Sequence, residues 1–428
     1  MKILVLSNLY PPDVIGGYEL GCRQVVDALL ERGHDVRVLT TAPRQPVAHA
    51  PHVKRRLKLS EIWSKAVSDR SHPVQSHLMD SAATFINASN CHVLIDEIRE
   101  FEPDVVYVWM LTGTGGLGLM ACLEFLKVPW LWHLMDPVPT LLCRRFGEVV
   151  PALVKAFERS MSEGMYLSCS QQLVGEIASD GLDLNHRTKV MPNWITGSLP
   201  PPRTEYLQDG VLRIAAASAQ IIRDNQKGID IVVESAAQLR ERGFENFQID
   251  IYGRLVDFSM PELALKLGLE EHVRFLGSRT QSELIGMYDQ YDLFAFPTRT
   301  REPFGFAALE AGARGCVPVM TNVCGIAEWF VHGVHVLKIK RNAQAMADAY
   351  ASVLNGSVDL TRMGQRLSSV IRRDFSLAAL LPTIEESLGQ AQVRSRAGAG
   401  TPEQAYRMAL LAERLSHAMI QEPWVRSA

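Results

Sequence analysis

Two carboxylates, Glu302 and Glu310, stand eight positions apart in the run Arg301-Glu302-Pro303-Phe304-Gly305-Phe306-Ala307-Ala308-Leu309-Glu310. Just before it, Tyr291-Asp292-Leu293-Phe294-Ala295-Phe296-Pro297 is apolar enough for a buried parallel strand. Gly305 relaxes the backbone and Ala307 to Arg314 has good helix propensity, so a helix begins about where Phe304 to Phe306 lie. The first amides of a helix lack intrahelical partners and carry the positive end of its dipole, which suits a phosphate. One carboxylate precedes that anion site and the other lies more than a turn beyond it. The arrangement fits a nucleotide-sugar, with its diphosphate on the amides and a carboxylate for hydroxyls at each end.

Lys227-Gly228 follows a strand and a polar loop, at the start of a helix, where an ammonium can meet the charge growing on a departing nucleoside diphosphate. A charge-assisted contact of that kind is worth about 1.5–3 kcal/mol. Near the N-terminus, Pro11-Pro12-Asp13-Val14-Ile15-Gly16-Gly17-Tyr18-Glu19 joins a first strand to a first helix, the place of a ligand loop in a doubly wound domain. It is not G-x-G-x-x-G, and the second strand ends in Thr40-Thr41 rather than in an acidic residue for a ribose, which argues against a nicotinamide cofactor. No D-x-D occurs, so the carboxylate pair that holds a divalent metal in the other major transferase fold is missing.

Spacing alone is weak evidence; the surroundings add to it. Pro303-Phe304-Gly305-Phe306, Ala311-Gly312-Ala313-Arg314-Gly315-Cys316-Val317-Pro318-Val319 and Gly325-Ile326-Ala327-Glu328 together resemble the donor site of the family 4 glycosyltransferases, retaining enzymes of the GT-B fold. The resemblance runs, more sparsely, from Met1 to about Gly389. It implies a retaining transferase that moves a sugar from a UDP- or GDP-sugar to a hydroxyl acceptor, with no metal and no other cofactor. It assigns Gly16 and Gly17 to closing over donor phosphates and acceptor, and Lys227 to the leaving diphosphate. Glu302 would hold sugar hydroxyls beside the anomeric carbon, Glu310 the nucleotide ribose, and the amides of Phe304, Gly305 and Phe306 the diphosphate. The family's arginine five residues before the lysine is replaced by Ile222, with Arg223 as the substitute. Asp136 and, three residues earlier, His133 fall on the acceptor side; His133 reads equally as a core histidine. Asn193, after Met191-Pro192, resembles the family's linker motif. Retention by a covalent intermediate and by front-face attack both stay open. So do an epimerase or phosphorylase on the same architecture and a non-catalytic sugar-nucleotide scaffold.

The elements that must position these groups alternate along the chain. Strands at 2–7, 35–40, 104–109, 128–133, 165–169 and 187–191 are separated by helices at 18–32, 83–101, 115–127, 149–162 and 171–179. A second series has strands at 211–217, 247–252, 272–275, 291–296, 316–320 and 334–338. Such alternation predicts parallel sheets with crossover helices. The fold class is therefore α/β, two doubly wound Rossmann-like domains facing across a shared cleft. The expected limits are 1–200 for an acceptor domain, 201–375 for a donor domain, 376–392 for a crossover helix and 393–428 for a linker and helical extension. Pro200-Pro201-Pro202 marks the hinge and Ser395 to Gly400 a joint before a helix at 402–421. That helix has an apolar stripe for the enzyme's own surface, a partner or a membrane.

The stretch 43–94 is poor in regular pattern and holds Lys54-Arg55-Arg56-Leu57-Lys58, either a solvated loop or a basic patch for an anionic acceptor or membrane. Asp136-Pro137-Val138-Pro139 reads as a loop. With 428 residues, 47% hydrophobic and 21% charged, the chain suits a soluble two-domain enzyme, and a net charge of -3 selects neither nucleic acid nor an anionic membrane. Seven cysteines without metal or redox spacing read as reduced core thiols. The N-terminus is too briefly apolar for a signal peptide, and no run is long enough to span a bilayer. The expectation is a cytoplasmic protein, with peripheral contact at the inner face of the membrane left open.

Overall fold

The computed structural model describes residues 1–60, 85–149, 151–161, 163–184, 187–195, 199, 201, 203–223, 226–393 and 398–421. They form two units: Met1–Ser168 with Leu173–Met191 and Leu381–Ala428, and Cys169–Gln172 with Pro192–Leu380. Pro200 and Pro202 of the proline-rich hinge, and Ser395 to Ala397 of the joint, lie outside the described residues.

The first unit is a seven-stranded sheet of β1 (Lys2–Leu6), β2 (Asp35–Thr41), β3 (Val53–Leu57), β4 (Val105–Val108), β5 (Trp130–Leu134), β6 (Met165–Ser168) and β7 (Thr188–Val190). The order is β3-β2-β1-β4-β5-β6-β7, parallel throughout. Val-Val-Tyr-Val of β4 is wholly buried, as a strand covered on both faces must be. Its helices are α1 (Gly17–Glu31), α2 (Ala88–Phe101), α3 (Gly116–Phe125), α4 (Val138–Val149), α5 (Pro151–Met161) and α6 (Gln171–Ser179), whose first two residues belong to the second unit.

The second unit has six strands, β8 (Leu212–Ile221), β9 (Phe247–Leu255), β10 (Val273–Phe275), β11 (Leu293–Phe296), β12 (Val317–Thr321) and β13 (Leu337–Ile339). Their order is β10-β9-β8-β11-β12-β13, again all parallel. Crossovers run through α7 (Ile229–Glu241), α8 (Ser259–Lys266), α9 (Gln281–Met287) and α10 (Phe306–Ala313), and α11 (Ala343–Leu354) and α12 (Leu360–Asp374) follow. Side chains set several helix starts: Asn342 and Asp359 cap α11 and α12, and Thr280 with Glu283 forms a capping box on α9. The order in which strands are added reverses between β1 and β4 in one sheet and between β8 and β11 in the other, and in open parallel sheets ligands bind beyond the strands' carboxyl ends at such a point.

Three elements differ from the expectation. The basic run at 54–58 is not a loop: Val53–Leu57 is the edge strand β3, paired with β2 from Val38↔Val53. Its two arginines are engaged, Arg56 with Glu97 at 2.7 Å and Arg55 with the Pro11 carbonyl at 2.6 Å. The stretch after Asp136 is not a loop beyond Pro137, because α4 begins at Val138. Proline is admissible in a helix's first turn, where its missing N–H would have no partner anyway. The helix expected from 83 starts at Ala88, capped by Asn87.

The last helix, α14 (Pro402–Gln421), which follows α13 (Leu377–Gln392), packs on α2 and α3 of the first unit. Glu413 accepts the Ala88 N–H at 3.0 Å, the Gly400 N–H reaches the Phe125 carbonyl at 2.9 Å, and the Tyr406 and His92 rings lie 4.9 Å apart. The seven cysteines are buried, and none is in a disulfide.

Candidate active site

Three loops meet beyond the carboxyl ends of β8, β11 and β12. The first ends at Gly228, with φ +67°, where a Cβ would stand 2.3 Å from the Pro297 carbonyl oxygen. Only glycine allows that approach, which brings Lys227 against the loop leaving β11. There the Arg299 N–H donates to the Gln226 carbonyl at 2.8 Å and the Gln226 side chain donates to the Arg301 carbonyl. The Lys227 ammonium pairs with the Glu302 carboxylate and lies 5.7 Å from the Phe296 ring centroid. Arg223 is exposed, earlier in the same loop. Behind the pair, Arg299 bonds the buried Asp230 of α7.

The third loop fixes the backbone of the second. The Glu302 N–H donates to Val323 at 3.3 Å, the Gly325 N–H to Glu302 at 2.9 Å and the Ile326 N–H to Phe304 at 2.7 Å. Gly305, at φ +111°, is the turn from which α10 starts at Phe306. Among the described residues the backbone N–H groups of Phe304, Gly305 and Phe306 donate no bond to the protein. An anion in front of this helix would therefore find unpaired donors. Glu310 lies one turn into α10, held by the Gln281 side chain at 2.5 Å. Burial pushes its carboxyl up to about 7, with the Gln281 bond opposing the shift.

In the first unit Gly17 opens α1, and the Gly16 N–H donates to Glu19 at 2.9 Å. Burial raises the Glu19 carboxyl, while its bonds from the backbone amides lower it. The hydroxyl of Tyr18 accepts the Met135 N–H at 2.6 Å, tying this loop to the end of β5 beside half-exposed Asp136. His133 is a core residue: it is 1% exposed, bonded through Nδ1 to Tyr107 at 2.8 Å and stacked on Trp109 at 4.5 Å. Gly16, Gly17 and Asp136 thus share one end of the first sheet. Lys227, Glu302, Phe304 to Phe306 and Glu310 share one end of the second.

Sequence reasoning missed Gln281 and Ser170, and reached Glu19 only as the last residue of the N-terminal ligand loop, without a role. Ser170 donates to the Pro303 carbonyl at 2.7 Å. Glu328 was visible only as part of a quoted motif; its carboxylate accepts the N–H groups of Gln171 and Gln172 at 2.7 and 2.6 Å. Gly325-Ile326-Ala327-Glu328 could have pointed to Glu328, but nothing near Ser170 in sequence names its partner. Among the described residues no group of three or more His, Cys, Asp or Glu is placed to hold a metal, and no helix is long and apolar enough to cross a membrane.

The family described as glycosyl transferases group 1 matches residues 220–369. A D-inositol 3-phosphate glycosyltransferase of Corynebacterium aurimucosum is 31% identical over 408 residues, covering 88% of this chain and 91% of that protein. A glycogen synthase of Mycobacterium tuberculosis is 26% identical, covering 94% and 97%. Among solved structures, Anabaena HepE in complex with UDP and glucose aligns with a TM-score of 0.61 at 19% identity, over 91% of this chain and 100% of that one.

Proposed function

Because this chain belongs to the group 1 glycosyl transferases, we propose that it moves a sugar, with retention at the anomeric carbon, from a nucleoside diphosphate to a hydroxyl acceptor. The observation that carries the reading is the Lys227–Glu302 pair standing before the free amides of α10. Without donor the two charges satisfy each other. With donor bound, the ammonium turns to the phosphates and the carboxylate to sugar hydroxyls, so each loses one partner and gains another.

The reaction needs stabilisation of the negative charge that builds on the leaving diphosphate. Fixed donors aimed at that charge lower the barrier because they need no reorganisation when it appears. Lys227 and the amides of Gly305 and Phe306 supply them, and Arg223 extends the cationic edge. Glu310 accepts hydrogen bonds from ribose hydroxyls. No divalent ion is required in this scheme. Asp136 and the Gly16-Gly17 loop form the acceptor side. UDP-glucose heads the donor panel because HepE holds UDP and glucose, and polyols and their phosphates head the acceptor panel.

The test is titration calorimetry with UDP, GDP and ADP, followed by mass spectrometry of reactions with the matching nucleotide-sugars in EDTA. The expected result is one preferred nucleotide and a new glycoside. An altered free donor with no glycoside, or dependence on a divalent ion, would overturn the proposal.

A further inference from the structure

The main chain around Glu302 is fixed at every polar group it has. The Glu302 N–H goes to Val323 at 3.3 Å and its carbonyl takes the Gly325 N–H at 2.9 Å. Pro303 has no N–H, so its carbonyl is the one backbone handle left. That oxygen accepts the Ser170 hydroxyl at 2.7 Å and the Cys169 thiol at 3.4 Å. The Cys169–Gln172 segment is anchored in turn to the loop after β12. Glu328 accepts its amides at Gln171 and Gln172, and the Gln172 side chain donates to the Val323 carbonyl. A Cβ on Gly325 would lie 2.0 Å from the Pro303 oxygen and 2.6 Å from Ser170 Oγ, so the three strands of chain meet with no spare room.

We propose that Ser170 and Glu328 are positioning residues for Glu302. Ser170 sets the direction of the Glu302 carboxylate by holding the carbonyl of the next residue, Glu328 acts one step back by holding the segment that carries Ser170, and neither touches nucleotide or sugar. The inference rests on the reading of Glu302 as the group that holds the donor sugar. Its physical content is that a carboxylate whose backbone can rock by a fraction of an ångström loses contacts made in the transition state while the nucleotide, held by α10 and Lys227, stays bound.

The test compares Ser170→Ala, Glu328→Ala, Glu328→Gln and Glu302→Gln in the full chain. It measures transfer kcat, donor KM, UDP affinity by calorimetry and Tm. Ser170→Ala and Glu328→Ala should each lower kcat about tenfold with UDP affinity changed less than about twofold. Glu328→Gln, which keeps one acceptor oxygen, should recover part of the loss. Ser170→Ala added to Glu302→Gln should cost nothing further, since the positioned group is already gone. Unchanged kcat in Ser170→Ala and Glu328→Ala beside an impaired Glu302→Gln would overturn the inference alone, as would parallel losses of kcat and UDP affinity. Wild-type turnover by Glu302→Gln would remove the premise as well.

Discussion

Glu302 and Glu310 are the same residue type on one short segment, yet their surroundings give them different states. Glu302 is ion-paired with Lys227, whereas Glu310 has an amide as partner and burial that raises its carboxyl from 4.5 to about 7. Glu302→Gln should lower kcat by about a hundredfold or more with nucleotide affinity nearly intact, and Glu310→Gln should chiefly weaken nucleotide binding. Steady-state kinetics with calorimetry separates the two, and wild-type turnover by both variants would retire these roles.

Glu310 also predicts a pH dependence. Ribose hydroxyls donate more strongly to the carboxylate, which accepts at both oxygens, than to the acid, so UDP affinity should rise more steeply from pH 6 to 8 in wild type than in Glu310→Gln, a comparison that cancels the titration of the terminal phosphate of UDP itself. Stability should run the other way. The folded chain holds this proton more tightly than the unfolded one, so its contribution is complete below about 4.5 and is lost as pH rises through about 7. The loss is on the order of 3 kcal/mol at most. In the absence of ligand, Glu310→Gln should therefore narrow the gap in Tm between pH 5 and pH 8.

At the scale of elements, two glycines near candidate ligand loops make opposite predictions. Gly228 combines φ +67° with a 2.3 Å approach to a backbone oxygen, so Gly228→Ala should lose about 1–2 kcal/mol from the left-handed backbone alone, with the overlap adding to it. Gly16 has an extended backbone and nothing within 4 Å of an added Cβ. Gly16→Ala should leave Tm unchanged, and any rise in KM it causes then reports a substrate lying against the loop.

Element identity was legible wherever burial made one pattern dominate. β11 read from Leu-Phe-Ala-Phe and α10 from Gly305 and the alanines after it, because a two-faced strand and a small-residue helix leave few other options. β3 was hidden because Val-Lys-Arg-Arg-Leu carries its stabilising partners, Glu97 and the Pro11 carbonyl, far away in sequence. α4 was hidden by Pro137 and Pro139, which signal a turn and are equally compatible with a first helical turn. Within the site, the carboxylates, the lysine and the glycines could be listed from local motifs. Ser170 could not, since a serine hydroxyl on a carbonyl 133 positions away leaves no mark in either segment.

On the scale of the whole molecule, two Rossmann-like sheets on one chain make the GT-B architecture of the transferases it resembles. Each unit has its own sheet and core, so calorimetry should resolve more than one transition, with UDP raising the one that belongs to residues 192–380. α14 is part of the first unit: Glu413 satisfies the Ala88 amide at the start of α2, and Ala405 and Ala409 are buried. Truncation after Val393 should lower the Tm of the first unit and leave UDP affinity unchanged. A truncated protein as stable as the full chain would show that the helix is dispensable.

The margins of the two sheets bear on how this protein tolerates crowding. β7, β10 and β13 have three residues apiece, too short to recruit a neighbouring chain. β3, the longer border at five residues, carries Lys54, and a lysine on an edge strand opposes pairing by a second copy. Within a run that first looks like bait for an anion, the two arginines thus fasten the strand to its own chain and the lysine works against one molecule stitching onto the next.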